Sequence, residues 1–259
     1  MSEECESKAL GAPIAKIVQT EELELDEPLL VCGFPSAGVV GTIAANTIMD
    51  QLDMKEVAHL RSRHLPSATV FLDGRLRHPF RVYASKDENL LVMTTELPVA
   101  EEGMYEVSSA ILDWAASVGV RETVILDGIP VQGIPSNRKV LYAAEVEKLE
   151  DLEGDENVEM LQKGIITGIA GSILSETLCR PMVGFAFLTP AIAVVPDPEG
   201  AAMLLETLSR HYEIDIDTVE LKESAENIRK KMREMAEQVD GMRRKKPGVE
   251  HPGFDRIYA

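Results

Sequence analysis

Short apolar runs closed by turn residues alternate with helix-like stretches along most of this chain, and that alternation narrows its fold more than any other feature. Pro28-Leu-Leu-Val-Cys-Gly33 has the length and flanking punctuation of a buried strand. A glycine-bearing turn, Phe34-Pro-Ser-Ala-Gly38-Val-Val-Gly41, follows it, and residues 42–49 then read as helix. Further strands are expected at 15–18, as an edge, and at 68–72, 80–84, 89–95, 122–126, 139–144 and 183–188. The strands over 68–72 and 80–84 are expected to form a hairpin through Asp73-Gly74. Helices are expected at 104–117, 165–179 and 198–212. Strands that alternate with helices imply an α/β fold, a largely parallel sheet with helices on both faces.

The last segment differs in kind. Asp217-Thr-Val-Glu220 is a capping-box-like start. Apolar residues then fall at Leu221, Ala225, Ile228, Met232, Met235, Val239 and Met242, spaced 4, 3, 4, 3, 4, 3. This is a heptad stripe on a helix of about 25 residues, roughly 37 Å long. Arg243-Arg-Lys-Lys246 places cations at the negative end of the helix dipole, and Pro247-Gly248 stops the helix. A 3.5-residue period favours a helix-to-helix seam, so the stripe is expected to drive self-assembly rather than pack on its own core. Residues 248–256 read as a tether. The expected organisation is a core over 1–216 with a short lead-in, an amphipathic helix over 217–246 and a flexible tail over 247–259.

Composition removes several functions. The net charge of -18 disfavours the phosphate backbone of nucleic acid and anionic membrane surfaces. Cys5, Cys32 and Cys179 show no paired spacing, which argues against a disulfide framework or a zinc knuckle. MSEECESKALGAP is acidic and has no apolar core of a secretory leader, and no apolar stretch is long enough to span a bilayer. A reducing cytoplasm is the expected compartment, with no membrane and no nucleic-acid partner.

Catalytic signals are weak. The 33–41 turn lacks a Lys-Ser/Thr pair after Gly38 and has no G-x-G start, so it is neither a P-loop nor a dinucleotide fingerprint. Its glycines read as close helix–strand packing, with phosphate binding as the other reading. Asp127 and Glu96 each follow a strand, where acid–base carboxylates are often placed, yet no nucleophile with an adjacent base accompanies them. Capping and turn roles are the expectation. His59, His64, His78, His211 and His251 have no metal-ligand spacing and read as surface or loop residues. Cys32 reads as a small buried hydrophobe. No cofactor, metal or catalytic residue is expected.

The chain ends in Ile257-Tyr258-Ala259, a hydrophobic residue, a tyrosine and a terminal residue. Behind it lie a helix stop and a linker of about ten residues, worth up to roughly 33 Å of reach. A short tip on such a tether suits insertion into a pocket on a larger particle.

Several segments together resemble the archaeal branch of the proteasome assembly chaperone 2 family. They are Gly33-Phe-Pro-Ser-Ala-Gly-Val-Val-Gly41, Pro66-Ser-Ala-Thr-Val-Phe71, Asp127-Gly-Ile-Pro130, the glycine-rich stretch 164–171 and Pro196-Asp-Pro-Glu-Gly-Ala-Ala202. The resemblance implies a three-layer α/β/α core like that of nucleoside phosphorylases and hydrolases, without enzyme activity. It implies a homo-oligomer, tetramer or pentamer, that binds proteasome α-ring subunits as an assembly chaperone or activator-like cap. It also implies that Ile257, Tyr258 and Ala259 form the tail that inserts between α-subunits, with a pocket lysine holding the terminal carboxylate. The other reading is a nucleoside- or nucleotide-binding protein or enzyme that uses the 33–41 turn.

Overall fold

The computed structural model describes residues 14–72, 74–133, 135, 138–145, 148, 152 and 155–244, with side chains through residue 231. Its strands are β1 (Ala15–Gln19), β2 (Leu29–Gly33), β3 (Lys55–Ser62), β4 (Val70–Leu72), β5 (Arg75–Arg77), β6 (Phe80–Ser85), β7 (Leu90–Thr95), β8 (Glu122–Val131), β9 (Val140–Ala143), β10 (Val158–Met160) and β11 (Val183–Ile192). Its helices are α1 (Val40–Gln51), α2 (Met104–Ser117), α3 (Gly168–Thr177), α4 (Pro198–Tyr212) and α5 (Val219–Arg244). One sheet runs β1-β3-β6-β7-β2-β8-β11-β9-β10, and β4 and β5 pair as a separate hairpin.

The centre of the sheet, β7-β2-β8-β11, is parallel, and β6, β3 and β1 extend it antiparallel on one side. The central strands are buried on both faces, which is why β2 and β7 read as unbroken apolar runs. Alternate residues serve two cores. Leu30, Cys32, Leu91, Met93 and Ile125 pack with α2 and α3 on one face. Leu29, Val31, Leu90, Val92, Val124 and Leu126 pack with α1 and α4 on the other. The result is the expected three-layer α/β/α arrangement with a mostly parallel centre.

Several details depart from the sequence reading, among them β10, which no apolar run marked. Strand β4 pairs with β5, across the turn at Gly74, and not with β6; β6 pairs instead with β3 and β7. A tight turn identifies its position but not how far its return strand runs. Strand β3 escaped notice because its register shifts between Glu56 and Ala58, which breaks the apolar alternation. Strands β8 and β11 continue to Val131 and Ile192, pairing with each other past Gly128, Pro130 and Pro190. Turn-type residues there are absorbed into a two-stranded extension.

The turn after β2 holds α1 against the sheet. A Cβ on Gly33 would lie 2.1 Å from the Gly41 carbonyl oxygen, and one on Gly41 would lie 2.2 Å from the Leu126 carbonyl oxygen. Backbone cannot yield as a flexible side chain can. Gly41→Ala is therefore expected to cost about 3 kcal/mol, read as a lowered urea midpoint at unchanged m-value.

Candidate functional site

The base of α5 is tied to the core at many points. The Asp217 carboxylate accepts from the Val219 N–H at 2.8 Å, opening the helix. Gln51 on α1 donates to the Asp217 carbonyl at 2.7 Å and accepts from the Asp217 N–H at 2.8 Å. Thr218 donates to Glu206 on α4 at 2.8 Å, and Lys222 pairs with the same carboxylate at 2.5 Å. Leu221 packs on the core beside α4, Ala225 is buried, and Ile228 lies in a small cleft with Pro135, Ile192 and Pro196.

The N-terminal three residues of the heptad stripe thus lie against this chain's own core. A 3.5-residue period describes a stripe on a helix and does not distinguish a neighbouring helix of the same subunit from one of another. The side chains of Met232, Met235, Val239 and Met242 lie outside the described residues, as do Ile257, Tyr258, Ala259 and the tether before them.

A compact ion network closes the same joint. Arg138, with 7% of its side chain exposed, donates to Asp197 at 2.5 and 3.0 Å and to the Pro190 carbonyl at 3.0 Å. Arg138 also pairs with Glu199, whose carboxylate takes a second cation, Arg229 of α5. Asp197 further caps α4, accepting from the Gly200 N–H at 2.9 Å, and its own N–H reaches the Gly38 carbonyl at 2.8 Å. Two cations and two carboxylates therefore link the helix to the turn after β2. The helix that Asp197 caps is expected from the sequence over 198–212. Nothing signalled that Arg138 and Arg229 would converge on it.

The strand-end groups are occupied internally. Gly128 faces the Ala37 carbonyl oxygen, which a Cβ would approach to 2.2 Å. Gly33, Gly41 and Gly128 thus each abut a carbonyl oxygen, an acceptor that repels phosphate, and they serve close packing of the turn. Burial pushes the Asp127 carboxyl above the usual carboxylate range, opposed by hydrogen bonds from Ser36 and from the Gly128 N–H at 2.7 Å. Glu96 instead binds Arg81, which is 1% exposed and also holds the Tyr83 hydroxyl at 2.8 Å. Asp127 lies in β8 and Glu96 directly follows β7, strands on opposite sides of β2 and about 10 Å apart by ordinary strand spacing. The structure does not bring them together as an acid–base pair. Cys32 is fully buried, and desolvation drives its thiol pKa upward, which keeps it protonated.

Two of the histidines read as surface or loop residues are brought together: His78 is exposed in a loop, and His59 is half-buried in β3. The His59 ring stacks on His78 at 3.7 Å with the planes 4° apart. Burial lowers the His59 pKa below 6.5, helped by the positive fields of His78 and Arg61. The folded protein therefore binds fewer protons here than the unfolded chain does, and this contribution to stability is lost as pH falls below about 6.5. The fall in urea midpoint across that window is expected to be smaller in His59→Gln. Among the described residues no group of three or more His, Cys, Asp or Glu could hold a metal ion, and no helix is long and apolar enough to cross a membrane.

Comparison with known proteins places this architecture. The sequence model of the PAC2 family matches residues 30–236. A protein of unknown function from Thermoplasma acidophilum is similar at 34% identity, over 86% of this chain and 91% of that one, with a TM-score of 0.72. Pyrococcus furiosus PbaA, an archaeal homolog of proteasome-assembly chaperone, is 26% identical over 89% of this chain and 95% of that one, with a TM-score of 0.78. Pyrococcus furiosus PbaB, an archaeal proteasome activator, is 25% identical over 87% of this chain and 100% of that one, with a TM-score of 0.76.

Proposed function

The chain belongs to the PAC2 family, and from that premise we propose that it is a non-catalytic proteasome-binding protein, an assembly chaperone or activator-like cap. The observation that carries this reading is the match along nearly the whole core to an assembly-chaperone homolog and a proteasome activator. The 33–41 turn supports it from the other side, because its glycines are used for internal packing rather than left open to a ligand.

In this reading the C-terminal segment is the docking device. Helix α5 is 26 residues long, about 39 Å, and its base is held by the Arg138–Asp197–Glu199–Arg229 network. Ile257, Tyr258 and Ala259 follow it in sequence and insert between neighbouring α-ring subunits. The protein acts as a homo-oligomer, with Met232, Met235, Val239 and Met242 supplying a seam between subunits. Several tails on one particle raise its avidity for a ring without any new contact.

The test is retention of purified archaeal α-rings and of assembled core particles by the immobilised full chain. Retention of either supports the reading, and preference for free rings or for finished particles separates a chaperone from a cap. Retention of neither would overturn it.

A further inference from the structure

Strand β1 ends the sheet, with β3 on one side and, among the described residues, no strand on the other. The Thr20 N–H donates to the Val57 carbonyl at 2.8 Å. The two-residue period of an antiparallel ladder then turns the N–H and C=O groups of Lys16 and Val18 toward β3. Those of Ala15, Ile17 and Gln19 point away from the sheet. Such an edge is a template for another strand.

The charges beside this edge are sorted along its length. At the start of β1, Lys16, Arg61 and Arg63 are exposed and border a cleft of about 860 Å³ that Ile14 and His78 also line. Among the described residues none of these three cations has an ion-pair partner. Their accumulation is unexpected on a chain of net charge -18. Past the other end of β1, Glu21 and Glu22 are exposed and likewise have no ion-pair partner among the described residues. Apolar surface lies alongside, with Ile14 39% and Tyr105 64% exposed in one depression next to β1.

We propose that β1 pairs edge to edge with β1 of a second copy, antiparallel and about a two-fold axis. That orientation lays the Lys16–Arg61–Arg63 end of one copy against the Glu21–Glu22 end of the other, and does so twice. Parallel pairing would set like charges side by side. A lone lysine on an edge strand blocks association; a lysine at one end answered by glutamates at the other permits one partner and one direction. The pairing rests on the homo-oligomeric part of the reading above. Because a two-fold contact is closed by two copies, it gives an even number of subunits, a tetramer rather than a pentamer.

A charge swap in the full-length chain tests this. Lys16→Glu/Arg61→Glu makes both ends acidic, and Glu21→Lys/Glu22→Lys makes both ends basic. Each variant alone is expected to show half the wild-type mass by light scattering, with wild-type circular dichroism. An equimolar mixture is expected to recover the full mass, as is the chain carrying all four substitutions; a variant that had merely misfolded could not recover in this way. An oligomer of unchanged mass in both variants, or an odd subunit number, would overturn this interface and leave the homo-oligomeric reading intact. A wild-type chain that stays monomeric at every concentration would overturn both.

Discussion

A chain ending at Arg256 is expected to bind archaeal α-rings at least about 100-fold more weakly than the full chain, with no change in its thermal midpoint. The size of the effect comes from valency. Each tail of an oligomer binds after the first as an intramolecular event, and linked modules gain roughly 10²–10⁴ in this way. Removing Ile257, Tyr258 and Ala259 from every subunit removes all of those events together. The thermal midpoint is expected to hold because, among the described residues, the buried core is complete by Ala225. Tyr258→Phe separates two contributions. It keeps the ring area and loses the hydroxyl, so it is expected to fall between the full chain and the truncation. Binding of the truncated chain equal to that of the full chain would exclude the tail as the anchor.

The second large effect is on stability. Asp197→Ala is expected to lower unfolding free energy by about 2–3 kcal/mol, because the buried Arg138 guanidinium loses its two-pronged partner and keeps only Glu199, which it shares with Arg229, and the Pro190 carbonyl. It also removes the cap of α4, a further loss of about 1 kcal/mol when measured alone. Urea unfolding followed by circular dichroism reads the total as a lowered midpoint. The double variant Arg138→Met/Asp197→Ala is expected to recover part of the loss, since no buried guanidinium is then left short of a carboxylate and Glu199 keeps Arg229. Equal midpoints for the single and double variants would show that the cap, and not the ion pair, carries the stability.

Legibility from sequence followed the locality of each feature. Helices α2 and α4 match their expected ends, 104–117 and 198–212, because a helix announces itself within its own span. Asp197 as cap with Pro198 at the first turn is such a signal. The parallel centre was legible because burial on both faces leaves unbroken apolar runs at β2 and β7. Strand β3 was not, because its bulge breaks the period that would have marked it. The ion network was invisible for a different reason. Arg138 meets Asp197 across 59 residues and Glu199 meets Arg229 across 30, and no periodicity spans such distances. The heptad stripe showed where α5 is apolar but not what covers it, and Leu221, Ala225 and Ile228 proved to face their own subunit. The charge sorting along β1 was likewise unreadable until pairing placed Arg61 beside Lys16.

A photo-crosslinking residue at position 258 of the full chain, irradiated on archaeal core particles, tests the docking of the tail most directly. Covalent adducts with α-subunits are expected, and an excess of a free peptide ending in Ile-Tyr-Ala abolishes them. Retained rings with no adduct from position 258, or adducts that the peptide leaves undiminished, would contradict tail docking.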